Sequence, residues 1–168
     1  LPIKPSPNLP NLSSIYWYPS TCFFEGTVLS EGRGTAEPFQ IFGHPSLPSS
    51  MYAFTPKAMP GANAPKLKDQ LCYGWNVSGE PASIRANLKN QLNLTYLIEA
   101  YRLFPEKEKF FILPKSGDAR ASFFNKLAGN AILMEQIKAG VSEVEIKKSW
   151  EPGLMAFKKR RAKYLIYR

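Results

Sequence analysis

Apolar residues in the second half of the chain recur with the period of an α-helix. Leu94, Leu97, Ile98, Tyr101 and Phe104 stand at i, i+3, i+4, i+7 and i+10 and so share one helical face, with Pro105 just beyond its end. The pattern predicts further helices near 121–128, stopped by Gly129, and near 131–139, stopped by Gly140, since glycine suits the left-handed residue after a helix end. Ser142 followed by Glu145 is a capping-box signature for a helix carrying Ile146 and Trp150. Pro152 reads as the first turn of one more helix, with Leu154, Phe157 and Tyr164 turned to the core. In the first half the period shortens to two: 51–55 and 71–77 alternate as strands, with Gly74 as a candidate bulge, and Phe110 to Leu113 predicts another short strand. The expected fold is α+β, a mixed or antiparallel sheet from the first half packed on helices from the second. Leu94, Ile98, Tyr101, Trp150, Leu154 and Phe157 are expected in one core with the strands.

Composition refines this picture. The chain has 168 residues, 44% hydrophobic and 21% charged, enough for one domain with its own core. Most of the 15 prolines fall in the first half. Because proline fixes φ and removes a donor, residues 1–20 are expected to be an extended lead-in and residues 21–168 the domain proper. No run of about 18 apolar residues predicts a membrane-spanning helix. The opening Leu1-Pro2-Ile3-Lys4 has neither methionine nor signal-peptide character and reads as the interior of a longer protein. Cys22 and Cys72 are too few for a disulfide scaffold and read as small core residues, a single bond between them being the alternative. The net charge of +9 favours anionic partners without choosing among wall polymer, nucleic acid and membrane surface.

The densest candidate chemistry lies between two apolar pieces, Cys22-Phe23-Phe24 and Phe39-Gln40-Ile41-Phe42. Glu25-Gly26-Thr27 and Glu31-Gly32-Arg33-Gly34-Thr35 gather carboxylates, a guanidinium, hydroxyls and accessible backbone amides. Such a loop can bind a hydroxyl-rich or anionic ligand, with Arg33 gripping a carboxylate through its planar fork. It can equally be a turn whose glycines supply positive φ and whose charges face water. Its glycine spacing matches neither a Walker loop nor a dinucleotide fingerprint. His44 is the only histidine, so no histidine-based triad or histidine-rich metal site can be assembled. Glycoside hydrolysis by the usual route needs two carboxyl groups, for which Glu25 with Glu31 or Glu37 could be paired. The run Lys158 to Lys163 is a nucleic-acid candidate or a basic last helical turn, and no RNP-type aromatic pattern accompanies it.

Several stretches together resemble the NamZ-type exo-β-N-acetylmuramidases. The first is Pro5-Ser6-Pro7-Asn8-Leu9-Pro10. The second runs from Tyr18-Pro19 and Cys22 through Glu25-Gly26-Thr27, Ser30 and Gly32-Arg33-Gly34-Thr35 to Pro38-Phe39 and Gly43. The third comprises Phe123 or Phe124 with Leu127-Ala128-Gly129, then Ile137, Gly140, Glu145-Ile146, Trp150, Leu154, Phe157, Arg161 and Tyr164-Leu165-Ile166-Tyr167. The resemblance implies the C-terminal part of a two-part enzyme that removes N-acetylmuramic acid from peptidoglycan fragments outside the cytoplasm of a bacterium. Its partner would be an N-terminal Rossmann-like domain, with the cleft between the two. It implies no cofactor, no metal and no nucleic-acid partner. Glu25, Thr27, Arg33, Gly34 and Thr35 would line this side of the cleft, with Asn8 near the junction. Arg33 would meet the lactyl carboxylate, and Glu25 would be a candidate acid/base group or, by preference, the organiser of Arg33; Glu31 receives no role. On this view the fragment alone lacks the full catalytic machinery. The competing expectations are a non-catalytic basic module for anionic wall polymer or nucleic acid, and a purely structural domain.

Overall fold

Residues 3–118 and 121–167 are described by a computed structural model. β1 (Ile41–His44), β2 (Tyr52–Phe54) and β3 (Cys72–Asn76) form one antiparallel sheet in the order β1-β3-β2. Gly74 is not a bulge. It sits in regular register opposite Gly43, and a Cβ on it would lie 1.9 Å from the Phe42 carbonyl oxygen, so the glycine pair permits a close backbone approach. The other edge of β1 is capped by Ser30, which exchanges two backbone bonds with Gly43 (2.9 and 3.1 Å). This ties the glycine-rich loop to the sheet.

The periodic segments of the second half fold as helices: α3 (Thr95–Leu103), α4 (Phe123–Ala128), α5 (Ile132–Lys138) and α6 (Glu143–Arg161). Gly129 ends α4 at φ 73°, and Gly140, just past α5, has φ 71°. The Ser142–Glu145 capping box opens α6 as its spacing requires. One core joins sheet and helices through Phe24, Phe42, Leu94, Phe110, Phe124 and Ile146, with Phe42 stacked on Phe24 at 4.4 Å. Leu94 is fully buried, while Ile98, Tyr101 and Trp150 are half-buried against that core.

Four expectations are corrected. The lead-in is helical from Leu12: α1 (Leu12–Thr21) starts at Asn11, whose side chain accepts from the Ser14 amide at 2.8 Å, and tolerates Pro19 near its end. Trp17 of α1 is buried and donates from Nε1 to the Val77 carbonyl at 2.9 Å, which anchors the helix to the strand that precedes α2 (Pro81–Leu88). Burial of one aromatic face and a satisfied cap outweigh the low propensity of a proline-bearing segment. Phe110 to Leu113 makes only a single bridge, Phe111 to Thr27. Pro152 opens no new helix; α6 runs through it unbroken, and Leu154, Phe157 and Tyr164 are 46%, 47% and 70% exposed rather than in the core. The cysteines stay close to expectation: Cys72 is buried in the core and Cys22 half-buried, both as free thiols that burial pushes up to about 11.

Candidate functional site

A cleft of about 520 Å³ opens where the glycine-rich loop meets the Pro56–Gln70 loop and the start of α4. Glu25, Glu31, Arg33, Lys66 and Phe123 line it, together with residues 61–65. Glu25 is delivered by a 3-10 turn, Cys22–Gly26, packed so tightly on α4 that a Cβ on Gly26 would lie 2.5 Å from the Phe124 Cα. Positive φ at Gly32 (81°) and Gly34 (82°) turns the chain back on itself and presents Arg33 between them. Phe39 also takes a positive φ (63°), an unusual state for a bulky residue, and its buried ring lies 5.3 Å beneath the Arg33 guanidinium.

Arg33 donates from Nη2 to Glu25 Oε2 at 2.8 Å, and its Nε faces Glu31 Oε1 at 3.7 Å without a hydrogen bond. Nη1 makes no hydrogen bond to another described residue, and the side chain is 37% exposed. Glu31 is buried, and Lys66 approaches its Oε2 at 2.8 Å, an ion pair whose angle falls short of an aligned hydrogen bond. Lys66 also donates to the carbonyls of Phe24 (2.7 Å) and Thr27 (3.0 Å), so its ammonium is fully engaged in bracing the loop. Burial lowers the Lys66 pKa against the pull of Glu31, and burial raises that of Glu25 against the pull of Arg33. Two carboxylates and two cations leave the cluster formally neutral. The arrangement holds one guanidinium edge rigidly at the cleft, which suits recognition of a carboxylate.

The expected site residues separate into two groups. Glu25 and Arg33 meet in the cleft. Thr27 is fully buried and donates to the Phe24 carbonyl at 2.9 Å. The Gly34 carbonyl accepts from the Lys57 amide at 2.8 Å, and Thr35 donates to the Gly32 carbonyl at 2.6 Å, so these two hold the loop's shape. Asn8 donates to the Gly61 carbonyl at 2.9 Å and tethers the opposite wall. Glu37 stands apart from the cleft lining, beside Asn76. Two lining residues, Lys66 and Phe123, were not singled out as functional in the sequence, and Glu31 was considered there only as a carboxyl partner of Glu25. Glu31 had a signal in its place beside Arg33; Lys66 had none, since it reaches the loop across some forty residues. Among the described residues, no group of three His, Cys, Asp or Glu side chains is placed to hold a metal.

Comparison with known proteins bears on this site. Residues 16–167 match the family described as exo-β-N-acetylmuramidase NamZ, C-terminal. The chain belongs to that family, through its C-terminal domain. It is 33% identical over 176 aligned positions to the peptidoglycan β-N-acetylmuramidase NamZ of Bacillus subtilis, covering 98% of this chain and 40% of the relative. It is also similar to the crystal structure of a DUF1343-family protein from Bacteroides fragilis, with 43% identity and a TM-score of 0.88 over all of this chain and 44% of the other. The chain thus spans about two fifths of the relatives it matches.

Proposed function

We propose that this domain forms one wall of a muramidase cleft, takes the non-reducing N-acetylmuramic acid of peptidoglycan fragments, and depends on an N-terminal portion for turnover. The observation that carries the reading is Arg33, which lines the cleft, is clamped by Glu25 at 2.8 Å and has an Nη1 bonded to no other described residue. The lactyl carboxylate distinguishes muramic acid from glucosamine, and a preset guanidinium edge recognises it at low entropic cost. Glu25 serves as the organiser of Arg33. Neither it nor Glu31 forms a free acid/base pair, because each is engaged by a cation. A substrate drawn from wall fragments supports a location outside the cytoplasm.

The test is titration of the 168-residue chain with N-acetylmuramic acid and N-acetylglucosamine, followed by calorimetry or amide shifts. The muramyl sugar should bind more tightly, and Arg33→Lys should remove about 1.5–3 kcal/mol of that preference, some ten- to a hundredfold, at unchanged Tm. Equal binding of the two sugars, or a Tm loss with the preference intact, would assign Arg33 to the scaffold. The same chain should show no turnover of a chromogenic muramic acid glycoside.

A further inference from the structure

Seven of the sixteen exposed large apolar side chains among the described residues lie within positions 154–167. They are Leu154, Met155, Phe157, Tyr164, Leu165, Ile166 and Tyr167; Leu154 and Phe157 share one face of α6, Met155 lies on another, and the last four follow the helix. At 3.6 residues per turn, Ile146, Trp150, Leu154 and Phe157 fall within about 80° of arc. The first of these is fully buried and the second half-buried against the core. The same stripe therefore starts inside the domain and runs off its edge, a core seam continued into solvent.

The backbone adds a second observation. α6 passes through Pro152-Gly153, a pair that removes one helical hydrogen bond and weakens the interior of a helix. Beyond it every described residue is exposed, so no packing within the domain compensates. A helix of this composition is expected to hold its shape against something. Charge narrows the choice. Lys158, Lys159, Arg160, Arg161 and Lys163 flank the stripe, and no acidic residue follows Glu151. Two copies of the stripe would set like charges side by side, whereas an apolar groove rimmed by carboxylates complements it. The relatives carry more than half of their length outside the matched portion, and that portion is the C-terminal one.

We propose that the second half of α6 and the tail to Tyr167 form the seat for the N-terminal portion, whose contact surface is an apolar groove with an acidic rim. This builds on the two-part arrangement proposed above but not on the ligand of the cleft. The test is hydrogen exchange of amides 153–164, without saccharide, in the 168-residue chain and in a polypeptide where the relatives' N-terminal portion precedes it. Exchange should slow by about tenfold or more in the longer polypeptide. Leu154→Glu with Phe157→Glu should abolish that slowing and leave the rest of the exchange map intact, as both residues are exposed here. Three results would overturn the proposal. One is equal exchange in the two polypeptides. Another is a 168-residue chain that sediments as a dimer and returns to monomer in the double variant, which assigns the stripe to a second copy. The third is protection that arises only with phosphatidylglycerol vesicles, which assigns it to a membrane surface. Loss of muramyl binding with normal protection would strike the cleft reading alone.

Discussion

Lys66 holds the cleft together through three contacts, two of them to carbonyls of the segment that presents Glu25. Its removal would leave the buried Glu31 with only the more distant Arg33, at 3.7 Å, as a partner. Lys66→Met should therefore cost about 2–4 kcal/mol, somewhat below a fully buried pair because the lysine is 27% exposed. Adding Glu31→Gln should recover a large part of that loss, since the buried charge is gone. Denaturant unfolding of the two single variants and the double variant measures the coupling. Additive losses would show that the pair contributes little beyond its separate contacts. The sequence makes Glu25 and Arg33 readable because they are close neighbours flanked by glycines. It conceals Lys66, whose role depends on a contact between loops rather than on any local pattern.

Among the elements, α3 takes its N-terminal cap from another helix. Glu143, in the first turn of α6, accepts from the Leu94 amide (3.1 Å) and the Thr95 hydroxyl (2.6 Å) and pairs with Lys147 at 2.6 Å. Burial alone would raise the Glu143 pKa, but the bonds from Lys147, Thr95 and Leu94 outweigh it and hold the pKa below the usual carboxylate value. Its stabilising contribution is thus present above the ordinary Glu pKa and is lost as pH falls through the depressed value. Glu143→Ala should cost about 1–2 kcal/mol near neutrality and flatten that acid limb, which thermal melts across pH would display. Along α6 the effect of truncation should fade. Ile146→Ala, at a fully buried site, should cost about 2–4 kcal/mol, Trp150→Ala less than a fully buried tryptophan would, and Leu154→Ala within about 0.5 kcal/mol in the 168-residue chain. A large Tm drop for Leu154→Ala would mean that the stripe packs on its own domain after all. Helices α3 to α6 were legible from period and caps. α1 was not, because Pro19 argues locally against a helix that Trp17 secures by burial. Pro152 misled in the opposite way: the proline suited a helix start, and only the geometry shows α6 continuing through it.

For the molecule as a whole, the fold class followed from the change of period between the two halves, while the positions of charge did not. Five cations of the +9 chain gather at 158–163, and the cleft itself is neutral, so the basic excess belongs to the tail of α6 rather than to the candidate sugar site. That separation argues against reading the composition as the signature of a polymer-binding cleft. The braces of the cleft also have a kinetic meaning. Lys66 meets Phe24 and Thr27 across separations of 42 and 39 residues, and the Phe110 carbonyl receives the Val28 amide across a longer one still. Contacts that close such long stretches of chain are expected late in folding, after the locally encoded helices and the sheet have formed. Their loss should then fall on escape from the native state rather than on the approach to it. In stopped-flow measurements Lys66→Met should raise the unfolding rate by about thirtyfold or more and leave refolding nearly unchanged. The cleft around Glu25 and Arg33 would accordingly be the last part of the domain to assemble and the first to come apart.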